Sequence, residues 1–245
     1  MYTRVTYFFP DGIEVHEYHT ARYGAPGQKR EKRKKPTPEA VKKNNLRQRE
    51  QRIRHQLRMN FTENDYWIRL SYKKDERPPN LQAAEKEMAN FRKRLKRRFD
   101  KAGVPLKWIQ KTEVGTRGAI HHHMVLPRIP DLDLILKECW PGGLNIGLTY
   151  QTGDFAKLAE YIAKEEGKVS KVATSRNLLK PKVKKQKMAG KTIDKEPKQR
   201  KNYELDKDSM VRGLNPWGYP YRIYTMHRIR GDDDQHLHRS KKRRQ

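Results

Sequence analysis

Three consecutive histidines at positions 121 to 123 have the types and spacing best suited to chemistry in this chain. They lie in LKWIQKTEVGTRGAIHHHMVL, Leu106–Leu126, which predicts two β-strands joined by a short loop bounded by glycines. Because side chains alternate across a strand, His121 and His123 point to one face and His122 points to the other. If the hairpin turns at the middle of that loop, Glu113 lies opposite His121 and shares its face.

Two imidazole nitrogens and one carboxylate oxygen on one face of a sheet form a donor set for a divalent cation. The set leaves coordination positions open, which suits a catalytic Mg²⁺ or Mn²⁺ better than a closed structural zinc site. Cys139 is the single cysteine, so the sequence offers no thiolate zinc cluster. The alternative interpretation is a polar patch on an exposed strand, and the matching register of Glu113 favours the metal site.

A tyrosine in a later segment is a candidate nucleophile. The sequence DFAKLAEYIAKEEG predicts a helix from Asp154 to about Glu166, in which Tyr161 and Lys164 share one edge. A tyrosine hydroxyl has a pKa of about 10 and needs a metal or a cation beside it to attack at neutral pH. Lys164 is placed to supply that cation. The alternative interpretation is that Tyr161 is a packing residue.

The charge of the chain indicates its partner. Lysine and arginine number 57 against 29 acidic residues, which gives a formal net charge of +28 over 245 residues. An excess of this size favours binding to a polyanion, and nucleic acid is the first candidate. Hydrophobic residues make up 34% of the chain, which is low for a globular protein. The composition therefore predicts a compact core with basic arms.

The hydrophobic patterns predict an α+β fold. Between Tyr66 and Gly167 they give strand, helix, strand, strand, helix, strand and helix, in that order. This order predicts a central antiparallel sheet with helices packed on it, as in split βαβ folds. The long amphipathic helix runs from about Asn80 to Ala102, and a β-hairpin from Tyr2 to Tyr18 precedes the domain.

Three motifs follow one another on these predicted elements. The first is the aromatic-rich strand WIRLSY, which ends at Ser71 and Tyr72. The second is the histidine run, with Glu113 eight residues before it. The third is Tyr161-Ile-Ala-Lys164 on the last helix. Together they resemble the ordered motifs of rolling-circle replication initiators of the HUH endonuclease superfamily, in the form that carries a single tyrosine.

The chain departs from the pattern of that superfamily at two positions. Ser71 stands where the first motif has threonine, and His122 stands where the second has a bulky apolar residue between its histidines. The flanking segments HTARYGAPGQKR (19–30), SRNL (175–178) and NPWGYPY (215–221) resemble initiators of prophage-like and conjugative elements of Firmicutes.

The resemblance implies a DNA-nicking and strand-transfer endonuclease that depends on Mg²⁺ or Mn²⁺. Tyr161 would attack single-stranded or hairpin DNA at a replication origin, and Lys164 would assist it. The products would be a 5′-phosphotyrosine link and a free 3′-hydroxyl. The sequence has no Gly-x4-Gly-Lys-Ser/Thr phosphate loop, so we expect no nucleotide cofactor and a partnership with host helicase and replication machinery.

Composition and motifs together predict three segments. Residues 1–60 hold the hairpin, a basic linker and a helix capped by Thr37, and residues 61–168 hold the HUH nickase domain. Residues 169–245 form a basic extension whose aromatic segment, 214–226, docks on the core or stacks on bases, with docking favoured. Seven side chains are candidate nucleic-acid contacts: Arg69, Tyr72, Lys73, Lys111, Arg117, Arg176 and Asn177.

The sequence also limits where the protein acts. No apolar run approaches the roughly 20 residues of a membrane span, and the N-terminus lacks the layout of a signal peptide. We therefore expect a cytoplasmic protein without a membrane partner. Three alternatives remain open: a relaxase or single-strand transposase with the same chemistry, a hydrolytic nuclease that uses water, and a non-catalytic nucleic-acid-binding protein.

Overall fold

A computed structural model describes residues 2–19, 37–115, 118–149, 155–165, 169–189, 192–214 and 218–229. The chain divides into two compact units. We call Pro36–Lys180 the central unit, and Met1–Lys35 together with Pro181–Gln245 the terminal unit.

The described residues form ten strands, four α-helices and a short 3₁₀ helix at Lys74–Glu76. In chain order the elements are β1 Tyr2–Phe8, β2 Gly12–His19, α1 Pro38–Asn60, β3 Tyr66–Ser71, α2 Leu81–Lys101, β4 Ile109–Val114, β5 Ile120–Leu126, α3 Leu132–Cys139, β6 Gly143–Leu148, α4 Ala156–Ala163, β7 Val169–Thr174, β8 Lys182–Met188, β9 Tyr203–Leu214 and β10 Pro220–Arg228. None of these helices is long and apolar enough to cross a membrane.

The central unit confirms the predicted α+β class. Its five strands pair antiparallel in the order β6-β3-β5-β4-β7. Helices α2 and α3 pack on one face of this sheet, which we call the α2 face. Asn80 caps α2 by accepting a hydrogen bond from the Ala83 N–H, as expected of a helix start. The buried stripe of α2 has helical spacing and consists of Ala84, Met88, Phe91, Leu95 and Phe99.

Helices α1 and α4 pack on the opposite face, which we call the site face. Ile53 and Leu57 of α1 and Ile162 of α4 join one buried cluster with Ile109 and Val125 of the sheet. Thr37 caps α1 through its hydroxyl oxygen, which accepts from the Ala40 N–H, and Pro38 is the first helical residue. These two helices cover part of the site face and leave the metal-ligand candidates at its edge.

The two units differ from the three segments expected from composition. Helix α1 belongs to the central unit, because its apolar stripe packs on α4, and so does β7, which pairs with β4. The N-terminal hairpin belongs with the C-terminal strands in a second antiparallel sheet, of order β8-β1-β2-β10-β9. The described residues after 168 therefore lie mostly in paired strands rather than in an extended arm.

The aromatic segment 214–226 lies mainly in this second sheet. Tyr224 and Met226 of β10 pack with Ile13 and Val15 of β2 in a buried cluster of the terminal unit. Residues 215–217 are outside the described residues. The predicted docking on the nickase core is therefore replaced by strand pairing, which neither the spacing nor the residue types of the segment had indicated.

Candidate active site

The hairpin β4–β5 sets the geometry of the site. Glu113 pairs with His121, and Lys111 pairs with His123. The Gly115 N–H donates to the Ala119 carbonyl at 2.9 Å and closes the hairpin. The predicted register is confirmed, although residues 116 and 117 at the tip lie outside the described residues.

The metal-ligand candidates come together on the site face. Nε2 of His121 lies 3.1 Å from Oε2 of Glu113, and Nε2 of His123 lies 3.4 Å from the same oxygen. One ligand atom from each of the three residues lies within 4.8 Å of the others. Two nitrogens and one carboxylate oxygen at this spacing fit a divalent cation and leave positions open for a substrate.

His123 is held in the form that binds metal. The ring of Trp67 stacks on it, with centroids 5.1 Å apart and planes at 16°. Burial, partly offset by the Glu113 carboxylate, lowers the pKa of His123 to about 4. The imidazole is therefore neutral at pH 7, which is the state in which Nε2 can donate its lone pair to a cation.

The tyrosine of α4 reaches the same group of side chains. The hydroxyl of Tyr161 lies 3.1 Å from Nε2 of His123 and donates to Oε2 of Glu113 at 3.3 Å. Its ring meets the rings of Trp67 and His123 edge to face. Helix α4 starts after Phe155, which has a φ of 59° and is buried; the predicted cap Asp154 is outside the described residues.

Lys164 does not share the helical edge with Tyr161 as the spacing had predicted. Helix α4 ends at Ala163, and Lys164 is its C-cap with an extended backbone, φ −65° and ψ 133°. The shared edge requires both residues to be helical, so the prediction was wrong on this point. The side chain of Lys164 is exposed at the end of the helix.

The buried cation beside Tyr161 is Lys111. Its Nζ lies 2.7 Å from Oε1 of Glu113, donates to the Tyr161 carbonyl at 2.7 Å, and sits 4.4 Å from the centre of the Tyr161 ring. Lys111 is 0% exposed, so the expected nucleic-acid contact is wrong. The alternation that placed Glu113 with His121 also places Lys111 on the site face, and this signal could have identified it.

His122 points to the α2 face, as alternation predicted. Its Nδ1 lies 2.8 Å from Oγ1 of Thr112, and its Nε2 lies 2.8 Å from the hydroxyl of Tyr72. The chain continues from Thr112, which accepts from Gln110, to Arg92, whose Nη1 donates to Oε1 of Gln110 at 2.5 Å. Burial lowers the pKa of His122 to about 3, so its ring stays neutral within this chain of hydrogen bonds.

Tyr72 is also placed away from a nucleic acid. Besides its contact with His122, its ring packs edge to face on Trp140. Burial, together with the nearby Glu87 carboxylate, raises the pKa of the Tyr72 hydroxyl. The expected nucleic-acid contact at Tyr72 is replaced by a structural role on the α2 face.

The other predicted nucleic-acid contacts remain accessible or undescribed. Arg69 pairs with His123 across β3 and β5, so it shares the site face with the metal-ligand candidates. Arg117 lies outside the described residues. Four of the predicted residues are exposed or partly exposed: Arg69, Lys73, Arg176 and Asn177.

Substitution of His122 by alanine is expected to destabilise the fold. The change leaves Thr112 and Tyr72 without their shared partner and opens a cavity, so we expect the free energy of unfolding to fall by about 2–4 kcal/mol. Urea unfolding followed by tryptophan fluorescence measures this loss. His121→Ala, whose side chain is at the edge of the sheet face and 19% exposed, is the control and should cost about 1 kcal/mol. Equal losses would contradict a structural role specific to His122.

The fold and these side chains define an α+β domain with an open candidate cation site and a tyrosine hydroxyl beside it. Residues 65–170 match the sequence model of a family described as replication-associated protein ORF2. The matched segment runs from just before β3 to the start of β7 and includes every residue of the candidate site. No curated protein and no solved structure was found to be similar to the chain.

The family match agrees with the class predicted from the motifs. The central unit resembles a replication-associated protein in the segment that carries the sheet, the triad and Tyr161. Helix α1 and the terminal unit lie outside the match. The similarity therefore supports a replication initiator and a DNA partner for the matched segment.

Proposed function

We propose that the protein is a metal-dependent nickase that cuts DNA at a replication origin and starts rolling-circle replication. The observation that carries this proposal is the position of the Tyr161 hydroxyl, 3.1 Å from His123 and 3.3 Å from Glu113. A tyrosine oxygen beside an open cation site is the arrangement that phosphoryl transfer to a tyrosine requires. The match to replication-associated proteins supports DNA at an origin as the substrate.

Tyr161 acts as the nucleophile in this reaction. Its hydroxyl oxygen forms a bond to the scissile phosphorus while the bond from phosphorus to the 3′ oxygen breaks. The tyrosine loses its proton, and the leaving 3′ oxygen gains one. The products are a 5′-phosphotyrosine and a free 3′-hydroxyl, and the phosphodiester energy is kept for rejoining. A Mg²⁺ or Mn²⁺ held by Glu113, His121 and His123 would polarise a non-bridging phosphate oxygen.

Other residues hold the nucleophile and the ligands in place. Lys111 links the Glu113 carboxylate to the main chain of Tyr161, so it fixes α4 against the hairpin. Trp67 orients the His123 ring. Lys164 remains a candidate catalytic cation, because its exposed side chain follows Tyr161 by three residues.

A denaturing gel tests the proposal. The protein is incubated with single-stranded and hairpin oligonucleotides from its own genomic neighbourhood, with Mn²⁺ or with a chelator. A metal-dependent protein–DNA band that survives denaturation is expected, and the length of the free product locates the cut. Cleavage without a covalent band would point to the hydrolytic nuclease. Salt-sensitive binding without cleavage of any origin fragment would point to the non-catalytic protein.

Removal of either histidine ligand is expected to abolish metal-dependent cleavage. Because each supplies one of three donors, His121→Ala and His123→Ala should each lower the cleavage rate at least about 100-fold and weaken Mn²⁺ binding measured by electron paramagnetic resonance. His227→Ala is the matched control, since that histidine pairs with Asp206 in the terminal unit. Unchanged Mn²⁺ affinity in both ligand variants would remove the metal site from the proposal.

A further inference from the structure

A cleft of about 380 Å³ opens on the central unit away from the candidate active site. One wall is the exposed side of α2, where Arg92, Lys93 and Lys96 lie within four residues and share one face of the helix. The other wall is the segment before β4, and Asn177 after β7 completes the rim. Asn177 is fixed there by a hydrogen bond from its Nδ2 to the Leu106 carbonyl, at 3.0 Å.

The cleft carries an excess of positive charge. Its lining holds three cations and one acid, Asp100. Both oxygens of Asp100 accept from Nζ of Lys96, at 2.8 Å and 2.6 Å, so this acid is already neutralised. Arg92 and Lys93 form no ion pair within the part of the chain that the structure describes. Two uncompensated cations therefore face one concave surface.

Arg92 is oriented before any ligand arrives. Its Nη1 donates to Oε1 of Gln110, and its Cζ lies 4.6 Å from the centre of the Trp108 ring. Stacking and one hydrogen bond fix the guanidinium plane and leave other N–H groups for an anion. A guanidinium held in this way is suited to the two oxygens of a phosphate.

The cleft is separate from the candidate active site. Gln110 lies on the α2 face of β4, whereas Glu113 lies on the site face, because neighbouring positions alternate. Along the strand, Trp108 and Glu113 are five residues apart, or about 16 Å. A polyanion would therefore contact the cleft and the cation site at two distinct places.

We propose that this cleft binds a backbone phosphate of the nucleic acid on which the protein acts. Arg92 supplies the oriented fork, Lys93 supplies the second free cation, and Asn177 supplies a polar rim. The choice of DNA as the polyanion rests on the proposed function. The cleft gives the DNA a second point of attachment on the far side of the sheet, so it holds the strand without taking part in the chemistry.

Binding of a fluorescein-labelled dT30 oligonucleotide tests this cleft. Anisotropy is measured with the full chain in EDTA over a series of salt concentrations, so cleavage does not contribute. Lys93→Gln/Lys96→Gln is expected to weaken binding about tenfold at low salt and to reduce the salt slope by about 0.7 for each phosphate that the variant no longer neutralises. The control is Arg97→Gln/Lys101→Gln, which makes the same charge change on exposed positions of α2 outside the cleft. It should weaken binding less than about twofold.

A second variant tests the oriented fork. Arg92→Lys keeps the charge and loses the bidentate geometry, so it should weaken dT30 binding several-fold while thermal unfolding confirms that the variant folds. Equal effects of the cleft and control double variants would overturn the proposal, and so would failure of the wild-type protein to bind dT30. Cleft-dependent binding without any covalent DNA adduct would leave this proposal standing and remove the nickase.

Discussion

Substitution of Tyr161 by phenylalanine is expected to abolish DNA cleavage and covalent adduct formation. The change removes one hydroxyl, the atom that lies against His123 and Glu113, and keeps the ring that packs on Trp67. Loss of a nucleophile costs at least about 10³-fold in rate, because no other group on the enzyme can form the covalent bond. Single-turnover cleavage of an origin oligonucleotide with Mn²⁺ measures the effect.

Binding and folding should survive this substitution. Anisotropy in EDTA is expected to give a DNA affinity within a few-fold of the wild type, since the hydroxyl is a small part of the contact surface. Tyr66→Phe is the matched control: it removes a hydroxyl from the α2 face of the same sheet and should leave cleavage unchanged. Nicking by the Tyr161 variant at the wild-type rate would end the assignment of the nucleophile.

Lys111→Met is expected to have the second largest effect. The change keeps the length of the side chain and removes the charge, so the buried Glu113 carboxylate loses its cation and the Tyr161 carbonyl loses its donor. We expect cleavage to slow about 10- to 100-fold, because the ligand and the nucleophile are no longer held together. Breaking a buried ion pair also lowers the free energy of unfolding by about 3–5 kcal/mol.

Two measurements separate positioning from DNA contact at Lys111. Urea unfolding should show a loss of stability that Mn²⁺ partly restores, because the cation compensates Glu113 in place of the lysine. DNA affinity in EDTA should change little. Lys171→Met removes an exposed lysine that pairs with Glu85 and should change neither rate nor stability appreciably. Weakened binding with a normal rate of cleavage would move Lys111 to the phosphate contacts.

Local signals in the sequence were sufficient for much of the central unit. Alternation along β4 and β5 predicted that Glu113 and His121 would face each other, and strand pairing confirms it. The stripe of α2 and the caps at Thr37 and Asn80 were equally local, since each depends on residues within one or two turns. The candidate cation site could therefore be predicted before the fold was known.

The terminal unit could not be predicted in this way. Its sheet pairs Tyr2 of β1 with Met188 of β8, residues that lie far apart in the chain. The sequence of β8, KVKKQKM, is almost entirely exposed and has no apolar alternation, so it resembles a basic arm. What makes it a strand is the partner supplied by β1, and that partner is invisible to a pattern of neighbouring residues.

The chain of hydrogen bonds on the α2 face has a fixed sense. An arginine can only donate, so Arg92 requires the carbonyl oxygen of Gln110, and the amide nitrogen of Gln110 must then donate to Thr112. The Thr112 hydroxyl keeps its proton for Nδ1 of His122.

His122 is therefore the tautomer with hydrogen on Nε2, which donates to Tyr72, and the proton of Tyr72 is left for Glu87. One arginine at the rim of the cleft thus decides where a proton sits on the histidine between the two candidate metal ligands. Any cation substituted for Arg92 that donates preserves this order, whereas an acceptor at that position would reverse every link.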